Sequence, residues 1–116
     1  MTTRQVGTEY ENRAIIFLQN QGLQLQDRNF RLDNSEVDLI FSDDEQLIFV
    51  EVKYRRTQQF ADILEQLTAA QLQRVRHAAR VWMIKNNINE HEVGCRFDIV
   101  AITGEPFQVE WLKDAF

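Results

Sequence analysis

The chain predicts an α/β fold in which a central mixed sheet, including an antiparallel meander, is flanked by helices. Helical periodicity marks two segments, from about Arg4 to Asn20 and from Thr68 to about Asn86. Three strand-like runs lie between them, and two more follow the second helix. The order α-β-β-β-α-β-β supports a mixed sheet with helices packed on it.

In the first helix Gly7, Glu11, Ala14, Ile15 and Leu18 form one stripe and Val6, Tyr10 and Phe17 an adjacent one, with Gln21-Gly22 as the stop. Glu11 therefore sits on an apolar stripe, where it either pairs with an arginine, snorkels past the core edge, or serves a site. Leu23-Gln24-Leu25-Gln26 through Phe30-Arg31-Leu32 reads as a strand, and Asp33-Asn34 as a turn. Residues Ser35 to Phe41 and Leu47 to Tyr54 read as the next two strands. Gln59 to Leu64 is a loop or a short helix. Thr68 is the expected N-cap of the second helix, with Leu72, Val75, Ala79 and Trp82 as its buried stripe and Gln71 at the margin, facing the sheet. Arg96 to Ile102 is a further strand, Thr103-Gly104-Glu105-Pro106 a turn, and Phe107 to Leu112 a last strand.

With 116 residues, 44% hydrophobic and 27% charged, the chain has the composition of one globular domain spanning 1–116. No apolar run approaches the roughly 20 residues of a membrane helix. The polar start Met1-Thr2-Thr3-Arg4-Gln5 lacks a signal-peptide apolar region, so a cytoplasmic location is expected. Cys95 is the only cysteine, which excludes an intrachain disulfide and a thiolate cluster. His77 and His91 lie too far apart in sequence to suggest a zinc site. The net charge of −5 argues mildly against a nucleic-acid partner, but Lys53-Tyr54-Arg55-Arg56 and Arg74 to Arg80 gather the basic residues locally. Either a basic binding surface or a solvated helix face accounts for that grouping.

The chemistry lies in the second and third strands. Alternation puts Glu36, Asp38 and Ile40 on one face and Phe49, Glu51 and Lys53 on one face of the next strand. A turn centred between Asp44 and Glu45 sets 38 opposite 51, 40 opposite 49 and 36 opposite 53. Opposed side chains stand roughly 5 Å apart at Cβ, near enough for two carboxylates to share a divalent cation. Without a cation the opposed like charges destabilise the sheet. Simple surface charge on a wet strand face is the competing explanation. The other face, Val37, Leu39 and Phe41 with Ile48, Val50 and Val52, is expected to be core; Ile40 and Phe49 indicate that the charged face is covered too.

Taken together, Gly7-x-x-Tyr10-Glu11-x-x-Ala14, Arg28-Asn29-Phe30-Arg31, Glu36-Val37-Asp38-Leu39-Ile40, Phe49-Val50-Glu51-Val52-Lys53-Tyr54-Arg55, Arg96-Phe97-Asp98-Ile99-Val100 and Trp111-Leu112-Lys113-Asp114-Ala115-Phe116 resemble the YraN family across nearly the whole chain. That family is a group of small bacterial proteins regarded as uncharacterised and endonuclease-like, and the same residues resemble the Holliday-junction-resolvase-like branch of the PD-(D/E)XK nuclease superfamily. Ser35 and Tyr10 stand where that pattern has glycine, and Gln71 where relatives often have lysine.

The resemblance implies a restriction-endonuclease-like fold and metal-dependent hydrolysis of DNA phosphodiesters, in branched, flapped or single-stranded DNA. Asp38, Glu51 and the Val52 carbonyl would hold Mg²⁺ or Mn²⁺, and Lys53 would orient the attacking water. Glu11 would bind a metal-coordinated water, and Gln71 would position water or phosphate. Arg55, Arg56, Arg74 and His77 are the expected phosphate contacts. Some such enzymes act as symmetric dimers, so a homodimer is included among the expectations. Two other readings stand beside this one: a non-catalytic nucleic-acid-binding module on the nuclease scaffold, and a hydrolase of another phosphodiester, which mononucleotides would inhibit.

Overall fold

The computed structural model describes residues 3–56, 60–104 and 107–116. Gln59 of the ambiguous segment, Glu105 and Pro106 of the predicted turn, and the side chains of Val6 and Gly7 lie outside what is described. The elements run α1 (Thr3–Asn20), β1 (Gln24–Arg31), β2 (Glu36–Ser42), β3 (Gln46–Arg55), α2 (Phe60–Glu65), α3 (Ala69–Lys85), β4 (Gly94–Thr103) and β5 (Gln108–Leu112). The expected order holds, and the ambiguous segment yields the short helix α2.

A Schellman motif ends α1. Leu23 N–H bonds back to Leu18 O at 3.2 Å and Gly22 N–H to Gln19 O at 3.0 Å. Gly22 has φ +93°, a conformation in which any side chain would be strained. Leu18 and Leu23 are both buried in the same cluster, the apolar contact that accompanies this cap.

The β2–β3 turn explains the register. Asp43 Oδ1 accepts from Glu45 N–H and Gln46 N–H, both at 2.9 Å, while Asp43 N–H reaches Gln46 O at 3.1 Å. These donors hold the Asp43 carboxyl below its ordinary range. The closed turn fixes Ser42 opposite Leu47, Ile40 opposite Phe49 and Leu39 opposite Val50, the pairing predicted from the sequence.

The sheet order is β1-β2-β3-β4-β5. Only β3 and β4 are parallel; the other pairs are antiparallel. A parallel pair requires a crossover, which α2 and α3 supply. The sheet is covered on both faces. Tyr10, Ala14, Ile15 and Leu18 of α1 pack on Leu39, Phe41, Ile48, Val50, Val100 and Ile102. On the opposite face Val75, Ala78, Ala79, Trp82 and Met83 of α3 cover Ile40, Leu47 and Phe49. Each large side chain buried in this way contributes roughly 1.5–3 kcal/mol.

Thr68 caps α3 as predicted, within a capping box completed by Gln71. Leu72 departs from the predicted stripe. It is only half-buried, and it lines a groove with Leu64 and Leu67 instead of joining the cluster under α3. Among the described residues no helix is long and apolar enough to cross a membrane.

Candidate functional site

Strand alternation breaks between Val37 and Leu39, and the candidate site lies at that break. Leu39 packs under α1, so Val37, two residues earlier, was expected beside it; instead Val37 packs under α3 with Ile40. The partner strand slips at the same level. Arg28, paired with Leu39, reaches Asn12 and Glu11 of α1, whereas Phe30, paired with Val37, packs under α3. The residues between are Asn29 and Asp38, opposite one another by register, and Asn29 has φ +55°. A left-handed residue in a strand redirects the next side chain, and asparagine is among the few non-glycine residues that adopt it readily.

The β2–β3 ladder stops at Leu39 and Val50, so it does not extend to Asp38 and Glu51 or to Glu36 and Lys53. Beyond it Val52 N–H donates to Asp38 Oδ2 at 2.8 Å, so a side-chain carboxylate replaces a backbone carbonyl as the acceptor. A ladder residue exchanges both its N–H and its C=O with one neighbour, so the Val52 carbonyl projects into the same gap as its N–H.

Asp38 and Glu51 are buried, with 9% and 8% of their surface exposed. Burial first, and then a hydrogen bond and repulsion from Glu51, hold the Asp38 carboxyl well above its ordinary range, against the opposing pull of Val52 N–H and Lys53. Glu11 approaches from α1 and is also raised, by burial and then by the Asp38 charge; Asn29 and Arg28 hydrogen-bond it and pull the other way. Arg28 Nη2 lies 3.6 Å from Glu11 Oε1. Glu11 therefore pairs with an arginine, one of the alternatives its position on the stripe left open, and it also borders the Asp38 carboxylate.

Glu51 and Lys53 open into a cleft of about 430 Å³ between the β1–β2 loop and the start of α3. Gln71 and Arg74 line its helical wall, and Arg31, Ser35 and Glu36 its loop wall. The cleft thus brings together four of the predicted site residues, Glu51, Lys53, Gln71 and Arg74, while Asp38 is not part of its lining. It does not bring in Arg55, Arg56 or His77. All three are exposed and absent from its lining. Arg55 donates to the Tyr54 carbonyl at 2.6 Å.

Gln71 already has a structural task. Its Oε1 accepts from Thr68 N–H at 3.1 Å to close the capping box, so what it presents to the cleft is the amide NH₂. The Thr68-x-x-Gln71 spacing was a readable signal of that role. Arg31 also went unassigned in the sequence reading; it lines the cleft and pairs with Glu36 at 3.3 Å. Asn29 was missed as well, although asparagine is depleted within strands and calls for an explanation there.

The donor chemistry suits a hard cation: two carboxylates near enough to hydrogen-bond each other, with a backbone carbonyl turned to the same gap. Among the described residues no three His, Cys, Asp or Glu side chains form a common metal-holding group.

The model of Uncharacterised protein family UPF0102 matches residues 10–102. A UPF0102 protein of Idiomarina loihiensis is 43% identical over 110 residues, 95% of each chain. One from Photorhabdus laumondii is 39% identical over 116 residues, covering all of this chain and 90% of the relative. The UPF0102 protein YraN of Salmonella typhi is 35% identical, over all of this chain and 87% of its own.

Proposed function

The chain belongs to the uncharacterised protein family UPF0102, and from that premise we propose that it is a metal-dependent endonuclease hydrolysing phosphodiesters of branched, flapped or single-stranded DNA. One observation carries the reading: the two carboxyls Asp38 and Glu51, both buried at the end of a ladder, with Lys53 two residues on in a cleft also lined by Glu51, Gln71 and Arg74. A buried like-charge pair costs stability, and one that lies next to a lysine in a cleft fits a site better than it fits packing.

Phosphodiester hydrolysis needs a positioned water, neutralised phosphoryl oxygens and help for the leaving oxyanion. Asp38 and Glu51, with the Val52 carbonyl, would hold Mg²⁺ or Mn²⁺. That ion, when bound, supplies Lewis acidity and an acidified water. Lys53 orients the attacking water and stabilises negative charge developing on the phosphoryl group. The Gln71 NH₂ group donates to a phosphate oxygen or to the water. Glu11 accepts from a water on the α1 side of Asp38, and Arg74 holds the backbone without reading sequence.

Single-turnover cleavage of end-labelled flapped, single-stranded and four-way-junction DNA in Mn²⁺ and in Mg²⁺ tests this. Wild type should cut at least one substrate, and Asp38→Asn and Glu51→Gln, shown folded by circular dichroism, should cut none. DNA binding without cutting in wild type, retained or strengthened in both variants, would favour the non-catalytic binding module.

A further inference from the structure

Resting on the nuclease reading of this site, we propose that Arg31 is a further phosphate-binding residue of the cleft and that Glu36 is its resident counter-ion, displaced when a phosphate of the DNA strand enters opposite Arg74. Arg31 and Glu36 are the last cross-strand pair of the β1–β2 ladder. The turn between them is fixed: Leu32 N–H donates to Ser35 O at 2.8 Å, Leu32 packs on the cluster under α3, and Ser35 is buried. Arg31 Nε lies 3.3 Å from Glu36 Oε2, and both side chains are more than half exposed. Both line the loop wall of the cleft, with Gln71 and Arg74 on the helical wall and Glu51 and Lys53 from β3.

Charge decides what this wall can do. The cleft is lined by three cations, Arg31, Lys53 and Arg74, and by three carboxylates, Asp33, Glu36 and Glu51. Among the described residues, Arg31–Glu36 is the one ion pair between two members of that lining. A divalent ion on Glu51 would leave Asp33 and Glu36 as the charges that oppose an entering strand, and Glu36 is the one with a cation to give up. A guanidinium offers a phosphate the same planar fork of donors that it offers a carboxylate, so the partner can be exchanged with little movement of the arginine. Exposure makes the exchange easy, because an ion pair in water is weak. The competing role is a cross-strand pair that only steadies the end of the sheet. That role predicts a loss of stability on substitution and no effect on DNA.

Fluorescence anisotropy of labelled single-stranded and flapped DNA in EDTA, where binding is read without cleavage, separates the two roles. Arg31→Ala should weaken binding about fivefold at low salt and lower the slope of log affinity against log salt by about 1, while Arg31→Lys should keep the slope. Glu36→Gln should tighten binding about threefold, because the phosphate no longer displaces a counter-ion. In the Arg31→Ala background the same Glu36→Gln change should alter affinity by less than about 1.5-fold, because the gain runs through Arg31. Each variant should melt within about 2 °C of wild type, as loss of an exposed pair allows.

A Glu36→Gln gain of equal size with and without Arg31 would mean general repulsion and would overturn the counter-ion role. Arg31→Ala protein that binds DNA as tightly as wild type, whether or not it melts lower, would overturn the inference and leave the sheet-end role. The nuclease reading fails separately. A wild type that binds DNA through Arg31 but cuts none in Mn²⁺ or Mg²⁺ keeps the phosphate contact and loses the enzyme. A wild type that cuts, with Arg31→Ala binding and cutting equally well, keeps the enzyme and loses the contact. A wild type that binds no DNA removes both.

Discussion

Replacing Asp38 by asparagine is expected to stabilise the metal-free protein at neutral and alkaline pH. Asparagine fills the same volume, its Oδ1 still accepts from Val52 N–H, and it removes the charge that Glu51 repels. The sign follows from linkage. The Asp38 pKa is raised in the folded state above its ordinary value of 3.8, so its contribution to stability is fully present below about that pH and is lost as pH rises through the folded value. The variant has no such loss. An unmet buried polar or charged group costs on the order of 1–3 kcal/mol, which sets the expected gain at pH 8. At this chain length that is a Tm rise of about 4 °C per kcal/mol. Thermal melts of wild type and Asp38→Asn in EDTA from pH 4 to 8.5 are the assay. The Tm difference should be near zero at pH 4 and widen upward. A difference that stays flat with pH, or an Asp38→Asn protein less stable at pH 8, would refute the argument that the pair is an electrostatic liability kept for function.

Three other perturbations probe different parts of the molecule. Asp98 is fully buried and accepts from Arg96 Nε and Nη2, Trp111 Nε1 and Asp114 N–H at 2.8–2.9 Å, tying the C-terminal residues to β4. Asp98→Ala should therefore cost about 3–5 kcal/mol in urea unfolding, since it strands buried donors, and a loss under 1 kcal/mol would deny the network that role. Thr68→Ala removes one half of the capping box, leaving Gln71 N–H without the Thr68 Oγ1 acceptor, and should cost about 1 kcal/mol by the same measurement; unchanged stability would show the cap to be immaterial. Arg74→Ala should reduce the slope of log affinity for DNA against log salt by about 1, whereas His77→Ala, outside the cleft, should leave it unchanged; the reverse pattern would move the DNA path off the cleft.

The hairpin register was legible because two signals agreed: the polar run at Ser42–Gln46 located the turn, and the apolar phases of both strands demanded the same pairing. The pairing of Ile40 with Phe49 and their burial beneath α3 followed from that register. Alternation misled at Val37 because it assumes an unbroken pleat; the break falls beside Asn29 of β1, whose left-handed backbone composition does not reveal. The β1 pattern is further disturbed between Leu25 and Asp27, where the register shifts and Asp27 turns to meet Trp82 Nε1 at 3.0 Å. Glu51, Lys53, Gln71 and Arg74 could be grouped in advance because strand and helix periods fix their faces. Arg55, Arg56 and His77 could not, because neighbouring residues in sequence point away from one another and composition cannot say which face borders the cleft.

The central claim is that Asp38 and Glu51 form a cation site, and calorimetric titration of Mn²⁺ into wild type and Asp38→Asn near pH 7 tests it most directly. The account predicts one saturable site in wild type and no saturable uptake in Asp38→Asn. Equal uptake by both proteins, or none by wild type, would contradict it.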